Sequence, residues 1–466
     1  MDQDFHYYGT FYAARIAGFN AANATLIAKC SNFIDFLSNQ GYGGYWRLVR
    51  DKRKLASRDQ YTVVGDVTSP RYTFQGTLST GVAAEDGMWC SYHFTPGNFA
   101  DPEGVPTPAA VHGERVAALL PAPTDDSIGR YHEVRRTPGI SKPEHATLLN
   151  RPMSGLSRAL LADTIEGANN PARLRRILMR AVGASELLGE NATVEQNTLR
   201  RFRLCLLGVR AHVIADTWAH QDFSGIGHDM NTYWDVNGWS VGRQGIQYDV
   251  GNGWVDVVLS SSSHENLQAA PNVAKIGHGW MGHFPDYSFV KFRYRPGWGR
   301  KSDTLERDNP TQYRYAFLEL CSLFARARSR DNHFEPGGAT SWLTKAGQAI
   351  SSACDVADKS VCPRVHSSNA WLEQMAGLGT PMDLINTKLE PDPKAVLDGL
   401  LEGTDGYTRY GTYIVQATSD LYLFQIAADY HFHFVRNFLK RHDIMTFGGS
   451  WSQQIGPLSQ TVTDLF

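Results

Sequence analysis

The sequence has no CxxC pair, and its six cysteines are scattered along 466 residues. Structural zinc sites are usually rich in paired thiolates, so this spacing argues against a thiolate zinc site. Cys354 and Cys362 are the two cysteines close enough along the chain to suggest a loop disulfide.

Long apolar runs are also missing, because none approaches the ~18 residues that a bilayer-spanning helix needs. The N-terminal residues have neither the basic region nor the apolar region of a secretory signal peptide. We therefore expect a protein without a transmembrane segment that is cytoplasmic as synthesised. Export by a signal-less route is a second possibility, and it would make the protein a candidate secreted toxin.

The chain has no excess of positive charge, since 45 Lys and Arg stand against 47 Asp and Glu. A broad nucleic-acid surface normally requires a basic excess, so we expect no extended nucleic-acid surface. A small site for a nucleotide or a phospholipid headgroup is still compatible with this balance. The HExxH helix of zinc peptidases is absent as well, which argues against a metal-dependent amidase or peptidase.

Hydrophobic spacing predicts a mainly α-helical protein. The expected helices cover about 10–40, 153–187, 195–221, 308–329, 340–355 and 415–441. A small β and loop insertion is expected at about 60–150, and the Gly- and Trp-rich stretch 223–300 reads as irregular. We expect a helical body over 1–330 and a C-terminal helical extension, 331–466, packed on the same body. That extension is a candidate surface for a protein partner.

The most informative motif is His212-Val-Ile-Ala-Asp216-Thr-Trp-Ala-His220. Residues four apart lie on one face of an α-helix, so the two histidines and the aspartate form a single stripe. Side chains of all three residues are of types that coordinate metals in proteins, and a ligand set of histidines and carboxylates suits Zn²⁺. The motif predicts a metal-ligand helix, with a satisfied polar cluster as the alternative.

Four other segments offer further ligands. Asp4 and His6 precede the first helix, and Asp35 stands between Ile34 and Phe36, where an unpaired carboxylate is costly to bury. His93 follows in an aromatic stretch, and a late segment carries the candidates His278, His283 and Asp286. Taken singly, a histidine or aspartate of this kind is more often structural, so the prediction depends on their joint occurrence.

The sequence resembles a family of bacterial proteins of unassigned function that begin with a DFHYY-type motif. The resemblance is carried by DFHYY, HVIADTWAHQDFSG and GHGWMGHFPD, and it extends from residue 4 to about 315, ending in the segment Arg307–Tyr313. More distantly, the order of motifs is similar to that of the zinc-dependent phospholipase C and S1/P1 nuclease superfamily. That resemblance implies a multi-helix bundle, a cluster of two or three zinc ions, and cleavage of phosphate esters.

The resemblance also assigns roles to individual residues. His6 and Asp35 would be early ligands, with Asp35 near the attacking water, and His93 would be the mid-chain ligand. His212 and Asp216 match the HxxxD of the superfamily, with Asp216 bridging two metals. His220 and His278 would complete the set.

Two departures leave alternatives open. The superfamily uses the amine of a processed N-terminal Trp, whereas this chain has Met1, so either Asp4 replaces that ligand or the third metal is absent. Gly282 stands where the superfamily has a late acid, so His283 or Asp286 must take that role, and Asp286 is preferred.

The leading hypothesis is therefore a metal-dependent phosphoric-ester hydrolase that resembles phospholipase C. Tyr7, His283 and Arg293 are candidate substrate-binding residues. A phospholipid is preferred over a nucleotide because aromatic residues are abundant and a basic excess is lacking. The alternatives are a P1-type nuclease or nucleotidase, and a non-enzymatic protein in which one zinc ion stabilises the fold.

Overall fold

The computed structural model describes most of the chain. The described residues are 1–39, 45–55, 58–68, 86–122, 143–189, 191–234, 245–249, 251–256, 275–352, 368–382, 413–444, 456–458 and 465–466. The suggested disulfide between Cys354 and Cys362 lies outside these residues.

The described part of the chain is mainly α-helical. Its thirteen α-helices are α1 (Thr10–Ile16), α2 (Ala21–Asn39), α3 (Asp86–Tyr92), α4 (Pro108–His112), α5 (Glu114–Ala117), α6 (Gly155–Ala168), α7 (Pro171–Leu178), α8 (Ala184–Leu188), α9 (Ala192–Ala219), α10 (Asn309–Arg328), α11 (Thr340–Ser351), α12 (Ser368–Gln374) and α13 (Asp420–Arg441). A π-helical turn, Asp4–Gly9, leads into α1. Short 3₁₀ turns occupy Pro143–Leu148, Asp229–Asn231, Gly279–Met281 and Ala376–Leu378.

Within the described residues, seven strands form two small sheets. They are β1 (Tyr45–Leu55), β2 (Arg58–Thr68), β3 (Ile246–Asp249), β4 (Trp254–Asp256), β5 (Lys291–Tyr294), β6 (Leu305–Asp308) and β7 (Tyr413–Gln416). In the first sheet, of order β2-β1-β7, β1 pairs antiparallel with β2 and parallel with β7. The second sheet, of order β4-β3-β5-β6, is antiparallel throughout.

Helix α9 is the central element of the fold. The side chain of Asn191 caps its start by accepting the Val194 N–H at 3.0 Å, which satisfies one of the otherwise unpaired first-turn donors. From position 204 to position 219 every residue of the helix is buried. It packs against α2, α6, α10 and α13, so the predicted ligand helix lies in the middle of the helical core.

Three of the sequence-based boundaries were wrong. The β and loop insertion expected at about 60–150 begins earlier, with β1, and the same stretch also contains the helices α3, α4 and α5. The expected first helix is two helices, because Gly18 adopts a left-handed φ of 89° between α1 and α2. The stretch predicted to be irregular over 223–300 contains strands β3, β4 and β5. Side chains of β3 and β5 belong to a separate, mainly aromatic cluster that includes Phe223, Trp280 and Phe284.

The C-terminal elements belong to the same hydrophobic core as the N-terminal ones. Strand β7 pairs with β1, and α13 packs against α9 and α3. A single buried cluster accordingly runs from Met1 to Leu458. Within the described residues, none of the helices combines the length and apolarity that a membrane span requires.

Candidate metal centre

The structure brings eight of the nine predicted ligands together. They form three groups, and within each group the candidate ligand atoms lie within 4.8 Å of one another. Group 1 is His6, His212 and Asp216; group 2 is Asp35, His93 and His212; group 3 is His220, His278 and Asp286. The ligands come from the first π-turn, from α2, from the end of α3, from α9 and from the segment before β5.

Asp216 lies at the middle of this arrangement. Its Oδ1 is 3.1 Å from His6 Nε2, and its Oδ2 is 3.2 Å from both His93 Nδ1 and His212 Nε2. Oδ2 is also 3.5 Å from His220 Nδ1. Each carboxylate oxygen thus faces a different set of imidazoles, which is the arrangement that a carboxylate bridging two cations requires.

Asp286 is the second buried carboxylate of the centre. Its Oδ1 lies 2.9 Å from His220 Nε2 and 3.4 Å from His278 Nε2. Its Oδ2 lies 3.4 Å from Nδ1 of His283, a side chain that is 46% exposed. Asp286 therefore occupies the interior position and His283 the rim.

Backbone carbonyls orient three of the histidines. The Nδ1 of His212 lies 2.9 Å from Ser31 O, that of His220 lies 2.8 Å from His93 O, and that of His278 lies 2.7 Å from Gly282 O. A neutral imidazole that donates its Nδ1–H to a carbonyl presents a lone pair at Nε2. Metal-ligating histidines are commonly oriented by a hydrogen bond of this kind.

For His220, this tautomer places an unprotonated ring nitrogen opposite a carboxylate oxygen, so that two hydrogen-bond acceptors face each other. Burial, together with the nearby Met1 ammonium and His278, outweighs the carboxylates and lowers the pKa of His220 to about 4, so the ring is neutral at pH 7. Its Nε2 lone pair then faces the Asp286 carboxylate at 2.9 Å. Two acceptors at hydrogen-bond distance repel each other unless a cation lies against both, and here the Met1 ammonium is 3.2 Å from each of them. The fit to metal cations therefore depends on the number of imidazole and carboxylate groups gathered in the three groups.

The α-amino group of Met1 also lies in the centre. It donates to Asp216 Oδ1 at 2.7 Å, and it is 3.2 Å from Asp286 Oδ1 and from His220 Nε2. Burial lowers the pKa of this amine, but Asp216, Asp286 and Asp35 outweigh it and raise the pKa to about 11. One ammonium against three carboxylates leaves an excess of negative charge, which favours binding of further cations.

The centre opens to solvent along one side. The side chain of Asp35 is 31% exposed, whereas those of His6, His212 and Asp216 are almost fully buried. Asp35 Oδ2 lies 3.7 Å from His6 Nε2, and its Oδ1 lies 3.8 Å from His93 Nδ1. Burial raises the pKa of Asp35, and the histidines around it oppose that rise. Asp35 and His283 thus mark the accessible rim of the cluster.

Three predicted site residues lie elsewhere. Asp4 accepts a hydrogen bond from Ser288 Oγ at 2.9 Å and belongs to none of the three groups, because the π-turn directs it away from His6. The buried Tyr7 donates to Met382 O at 2.9 Å. Arg293 on β5 donates to Gln247 Oε1 at 2.7 Å and lies over the ring of Trp254. The structure thus does not bring Tyr7 or Arg293 to the rim.

Sequence reasoning missed the groups that support the ligands. The Met1 amine and the Ser31 carbonyl are main-chain groups, which carry no signature in a residue pattern. Phe94 stacks on His220 with ring centroids 4.7 Å apart, and its ring is packed against Gly277. The aromatic context of His93 was the one available signal for this contact.

Comparison with known proteins identifies a family and no function. The chain belongs to a family of unknown function, DUF6765, whose family model matches residues 1–439. No curated protein and no solved structure matches the chain.

Proposed function

We propose that this protein is a zinc-dependent phosphoric-ester hydrolase similar to phospholipase C. The observation that carries the proposal is the convergence of three His and Asp groups around one buried carboxylate, Asp216. Within the same proposal, the helical body is a bundle of the phospholipase C and P1 nuclease type.

The number of ligands supports a multinuclear centre over a structural zinc. A structural zinc site is closed and uses four ligands, usually with thiolates. Here eight imidazole and carboxylate side chains meet, and one face of the cluster is open at Asp35. The described cysteines are buried and belong to none of the three groups; they are Cys30, Cys90, Cys205 and Cys321.

The chemistry divides between the ions and the protein side chains. Bound zinc ions supply Lewis-acid activation of water and stabilise the charge that develops on a phosphate. Group 2 would hold one ion through Asp35, His93 and His212, and group 3 would hold another through His220, His278 and Asp286. Asp216 would join groups 1 and 2. The exposed Asp35 carboxylate would orient the attacking water toward the open side.

A phospholipid headgroup is the preferred substrate within this proposal. Lys291 and Arg293 are engaged on the second sheet, with Asp308 at 2.8 Å and Gln247 at 2.7 Å, so neither supports phosphate binding at the rim. The aromatic surroundings of the centre, with Trp89 next to His93, suit an amphipathic substrate. A nucleotide is the alternative.

Metal analysis of the purified protein tests the centre. We expect two or three zinc ions per chain in a protein carrying its purification tag at the C-terminus. His212→Ala and Asp216→Ala should both lower the zinc content and abolish hydrolysis of a chromogenic phosphodiester. His333→Ala, which removes an exposed histidine, is the matched control and should retain both.

The result also decides between the proposal and its alternatives. One tightly bound metal and no hydrolysis of any phosphate ester would identify a structural zinc and overturn the proposal. If the centre is active, phospholipid vesicles, single-stranded nucleic acid and nucleoside monophosphates should be assayed side by side. Hydrolysis of the nucleic acid or the nucleotides alone would replace the phospholipase C-like assignment by the P1-type one.

A further inference from the structure

The segment Arg307–Tyr313 joins the end of β6 to the first turn of α10 and carries no ligand of its own. We propose that it is a positioning clamp for group 3, which holds both ligand-bearing segments of that group by their main-chain carbonyls. The inference rests on the proposed function, because it assigns the clamp to one ion of the proposed cluster.

One arm of the clamp is Arg307. Its guanidinium donates to Trp218 O at 3.1 Å, Ala219 O at 2.9 Å and Gln221 O at 2.6 Å. The last carbonyls of a helix have no hydrogen-bond partner within the helix. A cation at that end donates hydrogen bonds to them and interacts favourably with the negative end of the helix dipole. Arg307 therefore fixes the end of α9, where His220 leaves the helix.

The second arm consists of Asn309 and Tyr313. Asn309 Nδ2 donates to Phe284 O at 2.7 Å and to Tyr287 O at 2.8 Å. The Tyr313 hydroxyl donates to Asp286 O at 2.6 Å, with Pro285 O at 3.1 Å. These bonds hold the turn that presents the Asp286 carboxylate.

All three clamp side chains are buried, and together they contact both ends of group 3. His220 and Asp286 come from segments 66 residues apart, yet their ligand atoms lie 2.9 Å apart. A metal site tolerates displacements of only about 0.5 Å, so such a pair requires external support. The hydrogen bonds described for the clamp run to the segments of group 3, and its contact near group 1 is the Tyr313 ring on Phe5 at 5.1 Å, so loss of the hydrogen bonds should affect group 3 selectively.

Tyr313→Phe tests the clamp with the smallest change, because it removes one hydroxyl and keeps the ring. The matched control is Tyr422→Phe on α13, which also removes a buried hydroxyl, in this case one bonded to a carbonyl, Val182 O, at 2.6 Å. In zinc titrations we expect Tyr313→Phe to weaken one binding step about 10- to 100-fold and to leave the others unchanged. Tyr422→Phe should titrate like the wild type.

A readout in the metal-free protein separates this inference from the proposed function. We expect the amide of Asp286, bonded to His283 O at 2.9 Å, to exchange its hydrogen faster in Tyr313→Phe than in the wild type or in Tyr422→Phe. A wild type that binds no zinc would refute the proposed function, whereas faster exchange would still support the clamp. If the Asp286 amide in Tyr313→Phe exchanged at the wild-type rate, the clamp would be refuted. It would also be refuted if the wild type bound zinc and Tyr313→Phe showed faster exchange but the same zinc affinity.

Discussion

Gly208 of α9 lies directly against Cys30 of α2, with no room for a side chain between the two helices. A Cβ at position 208 would lie 2.5 Å from Ile27 O and closer still to the Cβ of Cys30. One turn further along α9 is His212, which contacts Ser31 O, and one turn further along α2 is Asp35. The close approach at Gly208 thus brings the ligands of group 2 within reach of each other.

Gly208→Ala should separate α2 from α9 and damage both stability and metal binding. Forcing an extra methyl into a packed interface typically costs about 1–3 kcal/mol of unfolding free energy. Gly167→Ala on α6 is the control, because its Cβ would meet its nearest atom, on Leu206, at 3.9 Å. Urea unfolding and zinc titration of both variants would check the prediction, which would fail if Gly208→Ala matched Gly167→Ala.

The buried carboxyl of Asp429 on α13 predicts a pH dependence of the stability of the protein. Burial raises the pKa of this carboxyl to about 7, although the Leu458 N–H, at 2.8 Å, partly offsets that rise. A raised carboxyl pKa means that the folded state holds its proton more tightly than the unfolded state. The contribution of the protonated Asp429 carboxyl to the free energy of unfolding is therefore fully present below the unfolded pKa near 3.8. It is lost as the pH rises toward the folded pKa of about 7.

Asp429→Asn should remove this loss, because an amide keeps an acceptor for Leu458 and carries no charge. His433, 3.5 Å from Asp429 Oδ1, does not offset the charge, since burial lowers its pKa to about 4. We expect equal stabilities near pH 4 and a variant more stable by a few kcal/mol near pH 8, at about 1.4 kcal/mol per pKa unit. Unfolding curves at both pH values, with the exposed Asp331→Asn as control, measure this. A constant difference across the range would contradict it.

Removing metal should lower the thermal stability of the protein. A ligand that binds only the folded state at 100 times its Kd adds about 2.7 kcal/mol. Treatment with a chelator should therefore lower Tm by several degrees, and added zinc should restore it. Asp216→Asn should show neither change, because it removes the charge at the middle of the cluster. An identical Tm with and without chelator in the wild type would count against the centre.

Residues added before Met1 should disrupt the centre. A Gly-Ser extension turns the ammonium near Asp216 and Asp286 into an uncharged amide and pushes two further residues into a buried space. Loss of one partner of a buried ion pair typically costs about 3–5 kcal/mol. The same extension after Phe466 is the control. Calorimetry and zinc content should distinguish the two proteins, and equal behaviour would show that the amine has no role.

The α9 ligands could be predicted from the sequence because a helix gives a fixed geometry. His212, Asp216 and His220 follow a four-residue spacing that an α-helix turns into one face, and the structure preserves that register although His220 is the cap residue. The joint presence of His and Asp in separate segments then predicted five further candidate ligands that the structure places in the same cluster, since no single helix supplies a complete cluster.

The remaining features depend on geometry that local patterns do not encode. Asp4 and His6 lie on a π-turn, so their directions differ from those on an α-helix or a strand. Strands β3 to β6 have three or four residues each, too few for alternation to show. The contacts of Arg307, Asn309 and Tyr313 run to main-chain carbonyls, for which no residue pattern exists.

The sharing of His212 has an evolutionary consequence. Groups 1 and 2 have this ligand in common, and its Nε2 can bind a single ion, so a substitution there damages both groups at once, whereas group 3 shares no member with them. Divergence within the family can therefore discard or rebuild the 278–286 segment as a module. A relative that retains His6, Asp35, His93, His212 and Asp216 with an altered late segment would be a version of the same scaffold without group 3.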